Sequence, residues 1–168
     1  MTSGSPRSAA ESGAGSRVHV GVAEADVAST GAVLVTNGVG SCIAVGLHDD
    51  AAAIGGLAHP MLPARRDERG PVAKYVAPCV EHLLAALVEA GASRANVVAK
   101  LAGGASILAT TGEDVGARNV ATATARLEAL GVPVVGSDTG GDYGRIVALD
   151  TDGGAVTVKR AHGERLQL

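Results

Sequence analysis

The chain has 168 residues, 46% of them apolar, and a formal charge of −3. That length suits about one domain with a real core. The charge argues against a nucleic-acid surface, and no apolar run approaches the roughly 18 residues of a membrane span.

Residues 1–16 are Ser, Gly and Ala with a few charges, and read as a disordered tail. They lack the apolar segment of a signal peptide. A single domain is expected over 17–168. Arg17 to Ala23 alternates Val18, Val20 and Val22 as a first strand, and Ala32 to Val35 is a second. Cys42 to Leu47 alternates Ile43, Val45 and Leu47 with Cys42, Ala44 and Gly46, again a strand. His48-Asp49-Asp50-Ala51 supplies turn chemistry, and Ile54 to Met61 resumes an apolar run. Arg65 to Gly70 is a charged loop. Val76, Val80, Leu83, Leu84, Leu87 and Val88 recur at helical spacing, with Pro78 in the first turn and Gly91 as the cap. Val97 to Leu101 is a strand running into Gly103-Gly104. A second helix spans Gly116 to Leu130, and Val132 to Gly136 is another strand. Arg145 to Asp150 and Ala155 to Arg160 form a hairpin about Thr151-Asp152-Gly153-Gly154. Mostly antiparallel strands with two helices predict a layered α+β domain. Phe and Trp are absent and the aromatics are Tyr75 and Tyr143, so Val, Leu, Ile and Ala must fill its core.

Chemistry concentrates in Thr36-Asn37-Gly38-Val39-Gly40-Ser41-Cys42 and in His59 across the hairpin. Folding the segment about its middle pairs residues whose numbers sum to about 101, which sets Val45 against Gly56 and Cys42 against His59. Directly opposed residues share a face with Cβ atoms roughly 4.5–5.5 Å apart. A cysteine beside a histidine is the minimum apparatus of a thiol nucleophile and its base. Backbone N–H groups of the glycine-rich turn can point at a developing oxyanion. A lone strand cysteine is more often core packing. The glycine turn and the cross-strand histidine set Cys42 apart, whereas Cys79 has no such context and reads as structural. Both are expected as free thiols in a reducing cytosol. His48 is placed in a turn, His82 on a helix, and His19 and His162 at the surface. No Cys-x-x-Cys or close His pair suggests zinc, and Gly38-Val39-Gly40-Ser41 lacks the ending of a phosphate loop.

These residues resemble the CheD family, the chemoreceptor glutamine deamidases of prokaryotic chemotaxis. The resemblance runs through the Thr-x-Gly-x-Gly-Ser-Cys segment at 36–42, Gly55-Gly56-Leu57-Ala58-His59, Met61-Leu62-Pro63 and Lys74-Tyr75-Val76. It continues in Ala99-Lys100, Gly103-Gly104-Ala105, Gly116-Ala117-Arg118-Asn119, Gly131-Val132-Pro133, Gly140-Gly141 and Gly144-Arg145. It implies a sandwich of sheets flanked by helices, similar to the cysteine hydrolase core of the cytotoxic necrotizing factor toxins. It implies a protein-glutamine glutaminase, a cytoplasmic hydrolase that converts receptor glutamines to glutamate and releases ammonia. The family's catalytic cysteine, histidine and threonine fall on Cys42, His59 and Thr36. Gly40 and Ser41 would offer backbone N–H groups to the oxyanion or substrate. The implied partners are the cytoplasmic domains of chemotaxis receptors and a CheC-like phosphatase, with no nucleic acid, membrane insertion, metal or cofactor. Two other classes compete: a regulatory module that only docks on receptors or on such a phosphatase, and a thiol amidase or esterase for small molecules.

Overall fold

The computed structural model describes residues 16–65, 70–107 and 114–168. The expected tail therefore lies outside the described residues except for Ser16, as do positions 66–69 of the charged loop. Among the described residues, ten strands and two α-helices follow in chain order. They are β1 (Ser16–His19), β2 (Ala25–Ala28), β3 (Ala32–Val39), β4 (Ile43–Asp49), β5 (Ile54–Ala58), α1 (Val76–Glu89) and β6 (Val98–Gly103). Then come α2 (Val115–Ala129), β7 (Val134–Thr139), β8 (Arg145–Asp150), β9 (Val156–Arg160) and β10 (Arg165–Gln167).

The strands form two five-stranded sheets. An outer sheet has the order β1-β3-β8-β9-β10 and a central sheet the order β2-β5-β4-β6-β7. Only β1 with β3 and β6 with β7 run parallel; the other pairs are antiparallel. Both helices cover one face of the central sheet, where Ile43, Val45 and Leu47 of β4 meet Val76, Val80, Leu83 and Leu87 of α1. The other face packs on the outer sheet through Leu34, Ala44, Leu57, Val147, Leu149 and Val158. The result is the expected α+β sandwich, with helices, central sheet and outer sheet as its layers.

A core with neither Phe nor Trp is closed by seating leucines on glycines. A Cβ at Gly46 or Gly55 would lie 2.9 or 2.6 Å from a Leu149 methyl, and one at Gly56 would lie 2.5 Å from Leu87. The strands approach as closely as they do because those positions carry no side chain.

Several local expectations change. The first strand stops at His19, because Gly21 donates to the Glu24 carboxylate at 2.8 Å and Ala23 takes a positive φ of 61°. The chain then restarts as β2 in the other sheet. The second strand runs on to Val39, with its pairing to β8 shifting between Thr36 and Val39. The strand expected at 132–136 lies at 134–139 instead. β10, unread in the sequence, is held on β9 and by mutual backbone hydrogen bonds between Leu168 and Val156. His48 is not in a turn. β4 continues through Asp49, and His48 is buried, its Nε2 2.7 Å from the Thr151 carbonyl.

The turn's later position also moves the hairpin register. Val45 pairs with Ala58 and Asp49 with Ile54, so partner numbers sum to 103. The shift from the expected register is two residues. An even slip keeps every side chain on its expected face.

Candidate active site

Thr36 and His59 come from different sheets and meet between them. On β3 the alternation that buries Leu34 against the central sheet also turns Thr36 inward, and both are fully buried. His59 follows β5 on the face of Leu57, which belongs to the same inter-sheet core. Its backbone is fixed on the β2 side, where its N–H donates to the Glu24 carbonyl at 3.0 Å and its carbonyl accepts from Ala23 at 2.9 Å. Thr36 Oγ1 lies 2.7 Å from His59 Nδ1. The hydroxyl therefore fixes one edge of the imidazole and leaves Nε2 as its free edge.

Cys42 immediately precedes β4 rather than beginning it. Ile43 donates to the Pro60 carbonyl at 3.2 Å, which carries the ladder past Val45 and Ala58. One further step sets Ala44 opposite His59. Cys42 and Ala44 share a face, so thiol and imidazole are diagonal neighbours, not the directly opposed pair expected. Diagonal partners remain within reach of long side chains. No hydrogen bond joins them here: His59 Nε2 is buried without a partner.

The electrostatics follow from burial. Desolvation pushes His59 down to about 4, because the imidazolium would sit between two sheets with no counter-charge. Desolvation also pushes the Cys42 thiol up, partly offset by a hydrogen bond from its own backbone N–H. Thiol and imidazole are thus both neutral near pH 7, not a preformed ion pair.

The cysteine loop is laced from behind. Gly104 N–H donates to the Cys42 carbonyl at 2.7 Å and Ala105 N–H to the Gly40 carbonyl at 2.9 Å. Gly103 has a φ of 119°, and a Cβ there would lie 2.6 Å from the Cys42 carbonyl. Gly116, in the first turn of α2, is equally constrained, since its Cβ would lie 2.3 Å from the Ala105 carbonyl. Gly40 N–H is already engaged with the Gly38 carbonyl at 3.1 Å. Half-buried Cys42 lines a groove of about 250 Å³ together with Ser41, Met61, Ala105, Ile107 and Asp114.

Two residues at this site carried no role in the sequence reading. Asp114 caps α2 through a 3.0 Å bond from the Ala117 N–H and accepts from the Ser106 hydroxyl. The Ser106 bond, then backbone donors, hold its carboxyl below the usual range. Asn119 is fully buried and donates to the Ser41 carbonyl at 2.8 Å and the Met61 carbonyl at 2.9 Å. An Asx cap at a helix start was a legible signal for Asp114. Asn119 gave none beyond its place in the Gly-Ala-Arg-Asn run. Cys79 is buried in the α1 core and its thiol is pushed up to about 12 by desolvation. Among the described residues, no three of His, Cys, Asp or Glu gather as metal ligands.

The family model described as CheD chemotactic sensory transduction matches residues 61–160. A Haloarcula marismortui protein named probable chemoreceptor glutamine deamidase CheD is 39% identical, covering 98% of this chain and 97% of its own. A Geobacter sulfurreducens relative named probable chemoreceptor glutamine deamidase CheD 3 is 42% identical over 84% of this chain and 92% of its own. An Archaeoglobus fulgidus relative, also named probable chemoreceptor glutamine deamidase CheD, is 40% identical over 90% and 98%. A solved Neisseria meningitidis protein of family DUF152 aligns with a TM-score of 0.49 at 14% identity, over 76% of this chain and 63% of that one. With a family model over residues 61–160 and relatives near 40% identity along nearly the whole length, the chain belongs to the CheD family.

Proposed function

We propose that this chain deamidates glutamine side chains on the cytoplasmic domains of chemotaxis receptors, with Cys42 as nucleophile and His59 as general base. The observation that carries the reading is the anchored histidine: Nδ1 is held at 2.7 Å by Thr36 while Nε2 stays buried and unpartnered, on the face that Cys42 shares. The names of its relatives support the substrate class, and a reaction on cytoplasmic receptor domains is a cytoplasmic one.

The chemistry starts from a neutral pair. Nδ1 carries the ring hydrogen and donates it to Thr36 Oγ1, so Nε2 has the lone pair. Nε2 takes the thiol proton as Sγ bonds to the carboxamide carbon. The Ser41 N–H is the donor offered to the oxyanion that develops, the Gly40 N–H being committed to the Gly38 carbonyl and the Cys42 N–H to its own sulfur. The imidazolium returns its proton to the departing nitrogen, and ammonia leaves a thioester. Water, deprotonated by His59, cleaves that thioester to glutamate and restores the thiol. One water enters and one ammonia departs.

The test is mass spectrometry of receptor cytoplasmic domains after incubation, read with ammonia release. Amide-to-acid conversion adds about one dalton per site in this thiol chemistry. The expected result is that shift at discrete glutamines with wild-type protein and none with Cys42→Ala. An absence of shift on receptors alongside turnover of free glutamine would move the reading to a small-molecule amidase.

A further inference from the structure

We infer that Asn119 is a positioning residue that sets the nucleophile loop against the histidine loop; the inference rests on the deamidase reading above. Asn119 sits on the inner face of α2 and is fully buried. Its Nδ2 donates one hydrogen to the carbonyl of Ser41, the residue before Cys42, and the other to the carbonyl of Met61, two residues after His59. Both bonds are short, at 2.8 and 2.9 Å, and both Ser41 and Met61 line the groove that exposes the thiol. The amide orientation is fixed by its partners, because two carbonyl oxygens can face only the NH₂ end.

Thiol and imidazole are diagonal neighbours with no hydrogen bond between them, so their approach depends on what holds the two segments in register. Within β4 and β5 the backbone ladder does this. Beyond its end, the Ile43 to Pro60 bond is the last rung. Asn119 supplies the next link from a third element, spanning 78 residues of sequence to Ser41 and 58 to Met61. Its Oδ1 is buried without a partner. An unpaired buried acceptor lowers stability. The fold keeps it for the two donors on the same group, a local cost of the kind found where a site sets the requirement.

Three replacements separate positioning from packing. Asn119→Leu keeps the branched outline in a larger side chain and removes both the donors and the orphan oxygen. Asn119→Asp keeps shape and turns an oxygen toward two carbonyls. Asn119→Ala truncates. Each folded variant is expected to lose on the order of 10²-fold in kcat on a receptor domain, the scale of a small misplacement of reacting groups, with KM nearly unchanged. Asn119→Leu should do so while still unfolding in a single cooperative thermal transition. A second readout needs no substrate: the rate at which iodoacetamide alkylates Cys42, measured in a double-mutant cycle with His59→Ala. If Asn119 acts through the thiol–imidazole geometry, the double variant is alkylated no more slowly than His59→Ala alone. Multiplying rate losses, an unchanged kcat, or failure of all three variants to fold each overturn the proposal and leave Asn119 a structural residue. If wild-type protein deamidates no receptor while the cycle still shows full coupling, the substrate assignment fails and the positioning role stands.

Discussion

Two buried polar clusters in this fold follow opposite rules. Around Asp138, charge is met by charge: its carboxylate takes Arg145 Nε at 2.9 Å and Arg160 Nη2 at 2.6 Å. Burial alone would raise that carboxyl, yet the Arg160 and Arg145 bonds outweigh it and hold it low. Tyr143 lies under both guanidinium groups, with their carbons 4.6 and 5.2 Å from its ring centre. Around His59 there is no counter-charge among the described residues, one ring nitrogen is unpartnered, and burial favours the neutral imidazole and thiol. The first cluster pairs charge with charge. The second leaves free the groups whose protonation the reaction must change. Each cluster keeps one buried nitrogen without a partner, Arg145 Nη1 in the first and His59 Nε2 in the second, so the counter-charge is what separates them.

The largest expected effect on this contrast comes from Cys42→Ala. It should abolish deamidation while leaving the thermal midpoint close to wild type, because the removed sulfur is half-buried at a groove. Activity near wild type would sink the nucleophile assignment. Next in size is Asp138→Ala, which strands Arg145 in the interior. Breaking a buried pair from one side costs about 3–5 kcal/mol, so urea unfolding should shift by that order. A cost under about 1 kcal/mol, the scale of an exposed pair, would mean that the cluster is not structural.

The pH dependence of stability tests the other side of the comparison. His59 ionises near 4 in the folded chain and near its ordinary 6.5 when unfolded. As pH falls below about 6.5 the unfolded chain takes up the proton first. The stability from a neutral His59 is therefore complete above that pH and is lost down to about 4, by roughly 3 kcal/mol. Wild type should lose that much more than His59→Gln between pH 7 and pH 4, and equal losses in urea titrations would show that His59 is not desolvated. His59→Ala should cost at least ~10²-fold in rate, the scale of a general base. The smallest effect is in labelling. Iodoacetamide should modify Cys42 roughly tenfold or more faster than Cys79, since access and thiolate formation both favour it; peptide mapping that finds equal labelling places the reactive thiol wrongly.

Local chemistry was legible in the sequence wherever one element decided it. Alternation at 42–47 showed that Cys42, Ala44 and Gly46 share a face, and the apolar spacing at 76–88 gave α1 to within a residue of its observed end. The hairpin at 145–160 was readable from its turn residues for the same reason. Thr36 was legible only through the family resemblance, because nothing local says which sheet its hydroxyl will meet.

Tertiary structure decided what depends on partners far along the chain. The hairpin register moved by two because β4 continues through Asp49, a choice stabilised by His48 reaching the Thr151 carbonyl 103 residues away. The early end of the first predicted strand and the restart as β2 in the other sheet were settled in the same way, by the turn at Gly21 and by partners on β3 and β5. Asn119, the Asp138 cluster and the neutrality of Cys42 and His59 all arise between elements. Side-chain alternation is a steric property of a few neighbouring residues, so sequence by itself determines faces. Register, cross-layer hydrogen bonds and desolvation belong to the packed layers, and come into being only when the sheets close on each other.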